Sequence, residues 1–167
     1  MSRNVRYILV LTIAFICQAT IVPFFSIGAA RPDIVLIAIA TFGFIDGPIA
    51  GAVGGFFGGL LQDLVAAGSF GLTALAKTLT GYISGQAERT ILGSSLLLPV
   101  VVIAGISIIS QIIYVGLAFL MGEPVDFGAA VRVVVLPSAA YTALVSVLVF
   151  PYLSRILSSQ RQSKVFK

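Results

Sequence analysis

The most informative part of the chain is the stretch from Gly47 to Gly85, which reads GPIAGAVGGFFGGLLQDLVAAGSFGLTALAKTLTGYISG. Glycine recurs at every fourth position of its first half, at Gly47, Gly51, Gly55 and Gly59. The next step of four falls on Asp63. Because residues four apart share one face of a helix, this spacing predicts a helix with a smooth glycine face and a carboxylate at its far end.

The second half of the stretch repeats this pattern with a base in place of the acid. After a turn of small residues, Lys77, Gly81 and Gly85 follow one another at steps of four. The short turn predicts that the two helices are antiparallel neighbours. Charges inside a membrane segment are rare and usually have a partner, so we expect Asp63 and Lys77 to lie near each other, paired directly or through water.

Two questions about this stretch stay open at the level of sequence. Lys77 can instead extend outward to the membrane surface while Asp63 sits in the wet interface, in which case the two do not pair. The glycine face (Gly47, Gly51, Gly55, Gly59, Gly81 and Gly85) either packs against a helix of the same chain or receives a partner helix or ligand.

The composition is that of a single-domain, all-α integral membrane protein. Of 167 residues, 59% are hydrophobic and 10% are charged, whereas about a quarter of the residues in soluble domains are charged. The mean hydropathy is +1.12. The apolar runs are long and continuous, which favours helices over the alternating strands of a membrane barrel.

The chain lacks the residues that several classes of function need. There is no histidine and only one cysteine, Cys17, which excludes histidine triads, histidine metal sites and cysteine clusters. No phosphate loop or nucleophile elbow occurs, so neither an enzyme nor a cofactor is predicted. The net charge of +4 lies mostly at the chain ends and is not interleaved with stacking aromatics, which argues against nucleic-acid binding.

Six apolar runs predict a compact bundle of six transmembrane helices. They lie at about 7–25, 32–45, 48–66, 70–87, 98–121 and 129–150, with a basic tail over 151–167. Pro137 is expected to kink the last helix, and Pro151 to end it. The second run is short for a bilayer, so five spans are the alternative. Cleavage of the first run as a signal peptide near Gly28 or Ala30 is a further alternative.

The distribution of basic residues predicts the orientation. With six spans, one side holds Arg3, Arg6, Arg89, Arg155, Arg161, Lys164 and Lys167. The other side holds only Arg31 and Arg132 among the loop residues. Because positive charge accumulates on the cytoplasmic side, both termini are predicted to be cytoplasmic.

The opposite, outer side carries one short charged motif, Arg31-Pro32-Asp33, at the start of the second run. Proline suits the first turn of a helix, and an aspartate there faces the positive end of the helix dipole. These residues are either solvated loop positions or contacts for a partner on the outer face.

The central region holds an ordered set of charged and small residues. Arg31-Pro32-Asp33 stands before a short apolar run, and Gly55, Gly59 and Asp63 follow at steps of four. After them come Gly68, Gly71, Leu72, Leu75-Ala76-Lys77 and Gly81-Tyr82. In this set of residues the central region resembles the MreD family of rod shape-determining membrane proteins.

The resemblance implies a non-enzymatic scaffold of the cell-elongation machinery in the bacterial cytoplasmic membrane. Such a protein binds MreC and organises peptidoglycan synthesis with MreB and the wall synthases. It also implies a fold like that of the substrate-binding subunits of energy-coupling-factor transporters. The alternative function is therefore vitamin capture for such a transporter, and a small channel or proton-coupled transporter that uses Asp63 is a third class.

Overall fold

The computed structural model describes residues 3–26, 28, 30–66, 71–87, 97–122 and 126–158. The helices are α1 (Arg3–Thr20), α2 (Ile34–Val65), α3 (Leu72–Gln86), α4 (Leu97–Leu120), α5 (Phe127–Ala130) and α6 (Leu136–Ser158). A 3-10 turn, Val22–Phe25, follows α1, and a π-helical segment, Val131–Val135, joins α5 to α6. The all-α class is thus confirmed for these residues, although the number of long helices is five and not the predicted six.

The second and third predicted helices form one element, α2, which is broken at Gly47. This glycine has φ 84° and ψ −174°, a backbone conformation that side-chain-bearing residues avoid, and Pro48 follows it. The break divides α2 into a first arm, 34–46, and a second arm, 48–65. A Cβ atom added at Gly54 would lie 2.6 Å from Cδ2 of Phe42. The arms therefore fold back on each other as a hairpin.

The first arm of α2 is the centre of the protein. Every residue from Val35 to Ile45 is buried, and Val35, Ile37, Ala38, Ile39 and Ala40 have no exposed surface. A helix that is apolar on all sides is stable only where neighbours cover it entirely. α1, α3, α4 and α6 all contact α2, which explains why apolar residues lie on all sides of this arm.

The second arm of α2 packs against α3 along the glycine face. Of the described elements, α2 and α3 make the most extensive contact with each other. A Cβ atom on Gly51 would overlap the carbonyl oxygen of Gly81, and one on Gly55 would overlap that of Lys77. A Cβ atom on Gly59 would likewise overlap the backbone of Ala74. Gly81 and Gly85 make the reciprocal contacts with Gly51 and Pro48. Backbone meets backbone along this face, which leaves no room there for a partner helix.

Three stretches of the described residues are long and apolar enough to cross a membrane: Ile34–Val65, Leu97–Leu120 and Phe127–Leu157. The last of these differs from the prediction, because Pro151 lies inside α6 and the helix continues to Ser158. Pro137 is the second residue of α6 and lies two residues after the π-helical segment. A π turn lets the backbone accommodate a residue that has no N–H to donate, so the irregularity precedes the proline.

One end of the bundle is closed by a polar cluster around Asp46, and we call it the Asp46 end. The Asp46 carboxylate accepts a hydrogen bond from the hydroxyl of Tyr7 and lies 3.5 Å from the guanidinium of Arg3. Arg6 donates to the carbonyl oxygen of Ile156, at 3.0 Å. The beginning of α1, the break in α2 and the last turns of α6 therefore meet at the same end.

Candidate functional site

The opposite end of the bundle is organised around the turn Arg31-Pro32-Asp33, and we call it the Asp33 end. Asp33 caps α2, because one carboxylate oxygen accepts the N–H of Leu36 at 2.9 Å. The other oxygen accepts a hydrogen bond from Nζ of Lys77, which belongs to α3. One carboxylate thus fixes the start of the central helix and holds α3 against it.

A side chain from α1 fixes the same turn. The Nε2 atom of Gln18 donates to the carbonyl oxygen of Pro32 at 3.1 Å, and its Oε1 atom accepts the N–H of Ile34 at 2.8 Å. Both the donor and the acceptor of this side-chain amide are therefore satisfied by the backbone around Asp33. This meets the requirement that polar groups inside a membrane protein find internal partners.

Two hydroxyl groups from α6 also bind the turn Arg31-Pro32-Asp33. The N–H of Arg31 donates to Oγ of Ser138 at 3.2 Å, and the N–H of Asp33 donates to Oγ1 of Thr142 at 3.1 Å. Ser138 and Thr142 are four residues apart and so lie on one face of α6. The turn is consequently bonded to α1, α3 and α6 while it begins α2.

The structure corrects the predicted pairing of Asp63 with Lys77, since Lys77 pairs with Asp33. The side chain of Lys77 is only 4% exposed, whereas that of Asp33 is 27% exposed. The ammonium group therefore depends on this carboxylate, and it does not extend to the membrane surface. The alternative interpretation of Lys77 as an outward-reaching lysine does not hold either.

Asp63 has a different role, which is to cap α3. Its two carboxylate oxygens accept the N–H groups of Gly71, Thr73 and Ala74 at 3.0, 3.2 and 3.0 Å. The N-cap residue of α3 is Gly71, which has φ 97° and no side chain to satisfy these donors. A carboxylate from the end of α2 supplies the missing acceptor and faces the positive end of the α3 dipole.

We expect Asp63→Asn to lower the free energy of unfolding by about 2 kcal/mol, because the amide NH2 group would face backbone donors. Hydrogen exchange at the amides of Gly71, Thr73 and Ala74 should accelerate, while exchange near Gly85 should change little. Asp126→Asn is the matched control, because Asp126 caps the exposed helix α5 through the N–H of Ala129. Its effect should be below about 1 kcal/mol. Unchanged exchange at the start of α3 in Asp63→Asn would contradict the capping role.

Comparison with known proteins identifies the family. The family model of the rod shape-determining protein MreD matches residues 2–159 of the 167 residues. The chain belongs to the MreD family. The comparisons found no matching curated protein and no matching solved structure.

Membership of the MreD family defines the role of the chain in broad terms. MreD proteins are membrane components of the rod-shape complex, and the family is one of shape determination. The motif Arg31-Pro32-Asp33, quoted above for its resemblance to MreD, is the turn that joins the helices at the Asp33 end. Asp63 and Lys77 were quoted for the same reason. Asp63 joins the end of α2 to the first turn of α3, and Lys77 joins α3 to the start of α2.

The residues of these polar clusters that were not predicted as site residues include Gln18, Asp46, Ser138 and Thr142. Each is polar and lies within or beside an apolar helix. The spacing of four between Ser138 and Thr142 places two hydroxyls on one face of α6, which is the signal that the sequence offered. The identity of their partners, two backbone N–H groups more than a hundred residues away, has no signature in sequence.

Proposed function

We propose that this MreD family member is a non-enzymatic scaffold of the cell-elongation machinery that binds MreC in the bacterial cytoplasmic membrane. In this role it helps to organise peptidoglycan synthesis together with MreB and the wall synthases. The observation that carries the proposal is the family match over residues 2–159. The match gives no support to the alternative of vitamin capture, and we do not propose it.

The proposed arrangement has six membrane-crossing segments, with the two arms of α2 as separate segments, and a fold related to energy-coupling-factor substrate-binding subunits. We place the Asp46 end in the cytoplasm, so that both termini are cytoplasmic. Arg3, Arg6 and Arg155 belong to the helix ends on that side, in agreement with the accumulation of positive charge there. The Asp33 end then faces the outer side of the membrane.

We propose that α4 offers the surface for the membrane helix of MreC. Only 22% of the most apolar 18 residues of α4 are buried within the chain, compared with 72% for α2. Gly105 and Gly116 lie eleven residues apart, or about three turns, and therefore on nearly the same face. A Cβ atom on either would meet nothing within 4 Å. Such small, uncovered positions allow a second helix to approach closely in lipid.

The test is purification of the tagged chain from its native membrane in a gentle detergent, followed by mass spectrometry of the bound proteins. A stoichiometric single-span protein with an outer domain, accompanied by wall-synthesis proteins, is the expected result. Gly116→Leu should reduce recovery of that protein at least about tenfold, the effect of losing roughly 1.4 kcal/mol of packing.

The matched control is Ala140→Leu, which adds bulk to an exposed position of α6 and should leave recovery unchanged. Recovery of ATPase subunits with a coupling membrane subunit in place of the single-span protein would overturn the proposed function. Full recovery with Gly116→Leu would overturn only the assignment to α4.

A further inference from the structure

A cavity of about 260 Å³ lies at the Asp33 end, between the elements that meet there. Ten of its twelve lining residues carry a polar side-chain group, and the other two are Ala76 and Val134. Polar groups are costly inside a membrane protein unless each has a hydrogen-bond partner, so such a cavity calls for an explanation.

The charges in the lining do not cancel. Both oxygens of Asp33 are occupied, one by the N–H of Leu36 and the other by Lys77. Arg31 also lines the cavity, and its guanidinium makes no ion pair with any residue that the structure describes. The described lining residues therefore carry one positive charge in excess, since Asp33 offsets Lys77 and nothing offsets Arg31.

Several hydrogen-bonding groups of the lining also lack a partner among the residues that the structure describes. Within the described ranges, no hydrogen bond is made by the side-chain amides of Gln62 and Gln111 or by the hydroxyl of Ser110. Ser110 is only 5% exposed. These groups come from α2 and α4 and line the same cavity as Arg31, so they can bind one molecule together.

We propose that this cavity binds an oxyanion of the phosphate type, held by Arg31 and the free protons of Lys77 and oriented by Gln62, Ser110 and Gln111. A guanidinium binds a phosphate or carboxylate through two parallel hydrogen bonds, and surrounding amides and hydroxyls supply further donors. The volume lies just below the roughly 300–1,000 Å³ of pockets for drug-sized ligands. The occupant is therefore a small anion or the headgroup of an anionic lipid, and not a large vitamin.

Two experiments on the full chain distinguish these sources. Calorimetric titration of the detergent-purified protein with sodium phosphate tests a free anion. Native mass spectrometry from nanodiscs that contain phosphatidylglycerol or only phosphatidylcholine tests a lipid headgroup. Binding of a single phosphate indicates the first source. Retention of a single phosphatidylglycerol, displaced by added phosphate, indicates the second.

Arg31→Gln and Gln111→Leu should each weaken whichever interaction is found, by about tenfold or more for Arg31→Gln because a charge-assisted hydrogen bond is lost. Arg132→Gln is the matched control. It removes the same charge from the exposed surface of the π-helical segment, outside the cavity, and should leave binding unchanged. The thermal unfolding of each variant shows that it is folded.

Two results would overturn the proposal. One is that neither sodium phosphate nor phosphatidylglycerol binds to the folded wild-type protein. The other is that Arg132→Gln weakens binding as much as Arg31→Gln, which would mean that general surface charge, and not the cavity, attracts the anion.

Discussion

Asp33→Asn is expected to destabilise the protein by about 3 kcal/mol, the lower end of the range for breaking a buried ion pair. Asparagine has nearly the same shape and can still accept the N–H of Leu36, so the substitution removes little besides the charge. It leaves the ammonium group of Lys77, whose side chain is only 4% exposed, without a carboxylate. Unfolding by increasing fractions of sodium dodecyl sulfate, followed by circular dichroism, measures the loss.

The reciprocal substitution should have a smaller effect. Lys77→Met leaves Asp33 unpaired, but 27% of that side chain is exposed and can be hydrated. The double variant Asp33→Asn/Lys77→Met contains neither charge and should recover most of the stability that Asp33→Asn loses. A double variant no more stable than Asp33→Asn would show that the charge pair is not the source of the effect.

Gly55→Ala is expected to destabilise the protein by roughly 3 kcal/mol, the upper end of the range for overpacking. Its Cβ atom would overlap the carbonyl oxygen of Lys77, which is backbone and cannot move aside as a side chain does. The second arm of α2 and α3 would have to separate, although α2 and α3 make the most extensive contact among the described elements. The same detergent unfolding assay measures the change.

Gly105→Ala is the matched control for this prediction. It is the same chemical change in the interior of a helix, at a position where a Cβ atom meets nothing within 4 Å. Alanine is a better helix former than glycine by roughly 1 kcal/mol, so this variant should be as stable as the wild type or more stable. A similar loss in both variants would indicate that glycine is needed for helix flexibility and not for close packing.

The sequence was informative about the glycine face because its period depends only on helix geometry. Steps of four from Gly51 to Gly59 place backbone at the surface of a helix, and α3 supplies the matching backbone at Gly81. The same reasoning was incomplete for the first arm of α2. Its twelve residues are few for a bilayer and left five spans as an alternative, but this run is mostly apolar because other helices surround it.

The pairing of Lys77 could not be predicted from proximity along the chain. Asp63 is the nearer carboxylate, yet the first turn of α3 competes for it with three unsatisfied N–H groups. The presence of Gly71, which has no side chain to cap that turn, was the available signal. Asp33 is more distant in sequence, and it meets Lys77 only because the hairpin at Gly47 carries the first arm of α2 back alongside α3.

The hydroxyls of Ser138 and Thr142 have a consequence for biosynthesis. They accept the N–H groups of Arg31 and Asp33, although the ribosome adds them more than a hundred residues later. Until α6 has been translated and inserted, the start of the most buried helix lacks two of its acceptors. The centre of the protein lies early in the chain but is completed only by α6, so assembly of the native bundle has to wait until α6 has been synthesised.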